Sequence, residues 1–216
     1  IYTQIEPNTD EPQYALIELL NNENISNKNK KEVVNKTDTK VRDIDEIEDL
    51  KVIKILLNAS QIEPNWSNIV LAYNRNEDTF NDEIIAFLNN AENSTKLSKN
   101  SIETDYPDEE TAEKFIGAIL LNNAINDTSY SNILQSIPYI YPTLNLVNLS
   151  REKVLLLIKN KKLSLSQKNY DMLKGNFENL HITLVESNTK TFFKDIESFN
   201  IENEDILALL QSKKLA

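Results

Sequence analysis

No cysteine occurs in this chain of 216 residues, so it has neither a disulfide framework nor a thiolate site. Glycine occurs only at Gly117 and Gly175. Phosphate-cradling loops need clustered glycines so that backbone can approach the ligand, which excludes a P-loop or a dinucleotide fingerprint within this chain. The single histidine, His181, lies in the apolar stretch LHITLV with no evident serine and carboxylate set beside it. A structural or surface role is therefore favoured over general-base chemistry. Metal sites built from histidine and cysteine fail on count, and the acidic run over 43–49 lacks the alternating Asp pattern and the glycine of a calcium loop. No cofactor or metal is expected. Apolar runs stay well below the roughly twenty residues of a membrane span, and no basic-plus-apolar leader is visible. The chain reads as soluble and cytoplasmic.

Charge is also one-sided. With 34 acidic against 23 basic residues, a formal net charge of −11 and a pI near 4.7, phosphate contacts are opposed and a nucleic-acid partner is disfavoured. The lysines of 28–31, 159–162 and 213–214 are read as complements to helix C-termini or as solvated loops. A composition 40% hydrophobic and 26% charged suits a folded chain of one sizeable core.

What is present is helical periodicity. Val52, Ile53, Leu56 and Leu57 make a one-sided stripe, with Lys51 and Lys54 on the wet side. A polar gap follows, then the single aliphatic plug Ile62. Pro64 is placed to open a second helix, along which Trp66, Ile69, Val70 and Tyr73 share a face. The same order of apolar helix end, polar gap, plug and new helix recurs with plugs at Ile25, Ile125, Leu163 and Leu215. Successive plugs are 37, 63, 38 and 52 residues apart, so no fixed period emerges. The expected fold is all-α, an irregular helical-repeat, α-solenoid-like array of antiparallel helix pairs. Residues 1–11 are expected to be extended and 12–216 to form one helical-repeat domain, with a hinge or loop over 91–106.

Along the chain, helices are expected over 12–22, 27–36, from the acidic 43–49 cluster to Leu57, 64–73, 82–90 (capped by Thr79 or Asn81), 108–123 and 128–136. The prolines of SIPYIYPTLNLVNLS forbid a continuous helix there. Ser150 caps the VLLLI helix, and Ser164 with Gln167 has capping-box spacing for the next. LHITLV alternates as a strand does, but lacks a partner strand and is read as helix. Helices close the chain over 189–199 and 203–212. The first residue is Ile and the final QSKKLA stops at a gap-and-plug phrase, so the chain is expected to be a fragment of a larger protein.

Three stretches, LLNASQIEPNWSNIVLAY, LSLSQKNYDMLKGNFENLHITLVESN and IENEDILALLQSKKL, resemble the helical region that follows the ATPase domain in the bacterial YobI-like P-loop NTPase family. The resemblance implies a C-terminal helical region of such a protein, with the ATP-binding motif outside this chain and no active residue to transfer. The expected function is non-catalytic: a protein-interaction, scaffold or regulatory region of a larger bacterial intracellular protein, recognising a protein or basic peptide. Its interaction surface would involve Trp66, Tyr73, Tyr139 and Tyr141, although for Trp66 a core position on the apolar face is favoured. A carboxylate-based hydrolase and a nucleic-acid-associated helical module are the alternatives.

Overall fold

A computed structural model describes residues 11–102, 109–138, 144–188, 192, 199–201, 205 and 207. The residues before them, expected to be extended, and Pro107, Tyr139, Tyr141, the plug Leu215 and most of the last two expected helices lie outside these residues. The chain divides into two compact units, Ile1–Phe115 and Ile116–Ala216, where one domain over 12–216 was expected. Every regular element among the described residues is a helix, and one isolated parallel bridge joins Val41 to Ile62.

The first unit contains α1 (Glu11–Asn21), α2 (Asn27–Val34), α3 (Leu50–Asn58), α4 (Trp66–Arg75), α5 (Asp82–Asn89) and α6 (Ala91–Leu97). Helix α7 (Glu109–Leu120) carries the boundary between the units. The second unit continues with α8 (Asp127–Ser136), α9 (Arg151–Lys159), α10 (Gln167–Asn176) and α11 (Leu180–Ser187). Helices of 7 to 12 residues are too short to persist on propensity alone, and they rely on packed faces and satisfied ends. The expected stripes supply the faces: Val52, Ile53, Leu56, Trp66, Ile69 and Val70 are completely buried. Asparagine, serine and aspartate supply the ends. Ser26, Asp49, Asn65, Asn81, Asn90, Asn126, Ser150 and Ser166 each accept a hydrogen bond from a first-turn N–H.

Several expected boundaries move for this reason. The 43–49 run is a turn and not a helix start: Asp43 accepts from Asp45 N–H at 2.9 Å, and α3 begins only after its cap, Asp49. Arg75 ties that turn down by donating to the carbonyls of Ile44, Ile47 and Asp45. Helix α4 starts at Trp66, two residues after the expected start at Pro64, because Asn65 is the cap. Ser166 caps α10 in place of Ser164. The polar stretch read as a loop from residue 91 holds α6, because Asn90 caps it twice and Asn93 and Ser94 are buried. LHITLV is helical, entered from Asn179 in the left-handed region at φ 61°.

The two units repeat the same local bonds. Asn22 Oδ1 accepts from Asn24 N–H at 2.9 Å, and Asn122 Oδ1 accepts from Ala124 N–H at 2.8 Å. Helices α3 and α9 end alike: Ser60 and Lys161 take φ 54° and 55°. Gln61 N–H then reaches back to Leu56 carbonyl, and Lys162 N–H to Leu157 carbonyl, both at 2.9 Å. This is the Schellman arrangement, which satisfies otherwise orphaned carbonyls through a left-handed residue. The Gln61 and Lys162 side chains both cross to the carbonyl that ends the previous helix pair, at Thr37 and Ile137 respectively. Buried Asn68 donates to Glu63 carbonyl at 3.1 Å, as buried Asn169 donates to Ser164 carbonyl at 2.8 Å. Ile25 and Ile125 stand 100 residues apart, and Ile62 and Leu163 stand 101 apart. Ile25 and Ile62 thus stand at nearly the same separation from Ile125 and Leu163, and the local bonds around them are alike.

Two stability predictions follow from these joints. Ser60→Gly and Lys161→Gly each relieve a side chain held at positive φ, and each is expected to raise stability by about 1 kcal/mol, read from the urea midpoint at unchanged m-value. Asn68→Ala strips the partner of Ile44 N–H and one of the donors to each of the Arg42 and Glu63 carbonyls, which keep Asn65. It is expected to cost about 1–3 kcal/mol, since the buried Ile44 N–H loses its bond; a cost near zero would show that the amide is dispensable.

Candidate functional site

Helices α1 and α2 meet at the tight 22–26 turn, and the 44–49 turn lies beside it. Asn21 Nδ2 bridges the two by donating to Glu46 carbonyl at 2.9 Å. Between them opens a cleft of about 630 Å³ lined by Asn21, Glu23, Ile25, Asn27, Lys30, Glu46, Glu48 and Asp49. Its size falls within the range of ligand sites, roughly 300–1,000 Å³. Four carboxylates surround one ammonium. Glu23, Glu46, Glu48 and Asp49 are exposed, whereas Lys30 is only 4% exposed. The local excess of negative charge attracts cations.

A second polar cluster lies in the second unit. Asp205 accepts from Tyr170 Oη at 2.6 Å and Lys174 Nζ at 2.7 Å, and faces His181 Nε2 at 3.2 Å. The Tyr170 ring meets the imidazole edge-on with centroids 5.3 Å apart. Desolvation pushes the Asp205 carboxyl up, but the hydrogen bonds from Lys174, Tyr170 and His181 outweigh it and hold it down at about 2. A carboxylate engaged by three donors is poorly suited to take up a proton near neutrality. This cluster therefore joins α10 and α11 to the Asp205 segment as a clasp. His181 is the residue whose partner the sequence concealed, because Asp205 lies 24 positions away and only the fold brings them together.

Two of the aromatic residues singled out from sequence, Trp66 and Tyr73, lie elsewhere. Trp66 is completely buried and donates Nε1–H to Leu97 carbonyl at 3.2 Å; Tyr73 is 3% exposed. Both pack on Phe115, with centroids 6.0 and 5.2 Å away at steep interplanar angles, and Phe80 completes the group. This is an aromatic core of the first unit, not a surface. Burial first, and then Asp78, raise the Tyr73 phenol, with Lys114 opposing. The cleft residues were visible only as an acidic run and a lysine cluster, since nothing in sequence shows that 23–30 and 46–49 face each other.

No family model matches the chain, and no solved structure matches it. A curated relative, the uncharacterized membrane protein YobI of Bacillus subtilis (strain 168), is 33% identical over 211 residues. The match takes in 96% of this chain, which spans 17% of the relative's length. Two expectations are corrected. The tie to a P-loop NTPase has no support: no family model of any kind matches, the relative's description names no NTPase, and nothing in the match places the segment at a C-terminus. The cytoplasmic reading is overturned by the relative's description as a membrane protein, although no helix among the described residues is long and apolar enough to cross a membrane.

The clasp predicts a pH signature. Because the folded-state value of Asp205 lies below its ordinary 3.8, its charged form stabilises the fold at pH above about 4, and that contribution fades as pH falls toward 2. Asp205→Asn is expected to lower stability at neutral pH and to flatten the acid limb of a urea-midpoint profile. An unchanged acid limb would remove the clasp.

Proposed function

We propose that the chain is a non-catalytic helical-repeat segment of a larger protein that binds a basic protein or peptide through the cleft of its first unit. The observation that carries this is the cleft's composition, four carboxylates about a single ammonium in a space of about 630 Å³. The repeated joints support the helical-repeat class, in which each helix pair buries its face on neighbours and loops are left to vary. Short capped helices give the cleft walls a fixed geometry: Asn21 and Arg75 hold the 44–49 turn on one side, and Ser26 caps α2 on the other. A preformed wall keeps the entropy cost of association low. Among the described residues the most engaged carboxylate, Asp205, is committed to three donors, which gives the hydrolase alternative no support from that cluster.

The reading is tested with tetralysine amide as a defined cationic probe, titrated into the 216-residue chain while the Ile25 methyl resonance is followed. Saturable shifts are expected, with affinity falling at least about fivefold from 50 to 500 mM salt, where screening shortens the reach of charge. A Glu46→Gln, Glu48→Gln double variant should weaken binding by a similar factor. A silent Ile25, or binding indifferent to both changes, would overturn the proposal.

A further inference from the structure

The duplicated joints allow the cleft to be compared with its counterpart in the second unit, where the same space is treated differently. There Asn123, standing where Glu23 stands, donates Nδ2–H to Asn148 carbonyl at 2.6 Å and accepts Ser150 N–H at 2.9 Å. Lys153, in the place of Val52, donates Nζ–H to Asn123 carbonyl at 2.6 Å and sits 5.4 Å from the Tyr130 ring centre. Tyr130, in the place of Lys30, donates its hydroxyl to Leu120 carbonyl at 2.7 Å. In this turn of the second unit Asn123, Tyr130 and Lys153 each find a partner within the protein, and the plug Ile125 is completely buried. In the first unit Ile25 is only partly buried and lines the open cleft.

Lys30 is the group left over. It is 4% exposed and lines the cleft, and among the described residues no hydrogen bond or ion pair engages its ammonium. The exposed carboxylates of the rim do not pair with it. The stem is enclosed while the head, which is not among the side-chain atoms sealed from solvent without a partner, meets the water of the cleft, and an anionic acceptor brought there would exchange that hydration for a charge-assisted hydrogen bond.

We propose that Lys30 anchors the α-carboxylate of a peptide C-terminus, while Glu23, Glu46, Glu48 and Asp49 engage basic side chains just before it. The inference rests on the basic-partner reading and adds the polarity and the terminus of the ligand. The charge order requires this arrangement: an anion must lie deep, at Lys30, and cations shallow, at the rim. A polycation with no anionic end leaves Lys30 unmatched, and a polyanion meets four carboxylates.

The test uses the 216-residue chain with tetralysine in two forms, a free α-carboxylate and the C-terminal amide, measured by calorimetry and by the Ile25 methyl resonance. The free acid is expected to bind about tenfold more tightly, as a charge-assisted hydrogen bond should give, even though its carboxylate lowers the net positive charge of the peptide. Lys30→Met is expected to erase that preference with unchanged circular dichroism, and Lys30→Arg to retain it. Equal or weaker binding of the free acid, or a preference that survives Lys30→Met, overturns the anchor while the basic-partner reading stands. Silence from both peptides overturns that reading and the anchor with it.

Discussion

The first unit depends on one buried amide. The segment between α2 and α3 has no regular structure, yet it carries Val41, Ile44 and Ile47, all completely buried. A backbone drawn into a core without a ladder or a helix must find partners for its N–H and C=O groups elsewhere. Asn68 supplies them, accepting from Ile44 N–H at 3.1 Å and donating to Arg42 carbonyl at 2.8 Å and to Glu63 carbonyl at 3.1 Å. Gln61, Arg75 and the Val41 to Ile62 bridge finish the work. With the connector fixed, α2 packs on α3, α3 packs on α5 and the cleft has a second wall.

That requirement explains why the two units agree in some places and part in others. Joints that hold connectors, the left-handed helix ends and the buried Asn68 and Asn169, cannot drift without orphaning backbone groups, and they share the positive-φ residue and the amide hydrogen bond to the carbonyl five residues earlier. Side chains around the α1 to α2 turn carry no such burden. There the units differ: Asn123, Tyr130 and Lys153 close one turn, while Glu23, Lys30 and Val52 leave the other open. Burial pulls the Lys153 ammonium down from its ordinary value, with Asp127 opposing. The enclosed cation of the second unit was thus given a carbonyl partner and a ring, and the enclosed cation of the first was not.

Legibility from sequence follows the range of the forces involved. Helix faces could be read from spacing because i, i+3 and i+4 neighbours are local, so the stripes of α3 and α4 and the helical nature of 180–187 were accessible. Helix starts were half accessible. Asparagine is abundant here, and its role as a cap is visible only once competing positions are ruled out, which is why Asn65, Ser166 and the doubly capping Asn90 displaced the expected boundaries. The apolar aromatics Trp66 and Tyr73 were correctly placed on one helical face, but a face does not say whether it meets protein or ligand; Phe115, more than forty positions on, decides it. Asp205 with His181, and Lys30 with the 46–49 turn, are juxtapositions made by tertiary structure alone.

Polar groups enclosed by protein divide into those that have their partners and those that lack them, and the division separates folding from recognition. Asp205 is held by tyrosine, lysine and histidine, so any ligand that approached it would have to break bonds as good as those it offered. The unpartnered Nδ1 of His181 is sealed within protein and out of reach of a binding partner. Lys30 differs from both, being enclosed along its stem, unpartnered at its head and lining an open cleft. A ligand that met it would lose only hydration in exchange for a charge-assisted bond, and the acidic rim selects which anion can approach: one carried on a cation-rich chain.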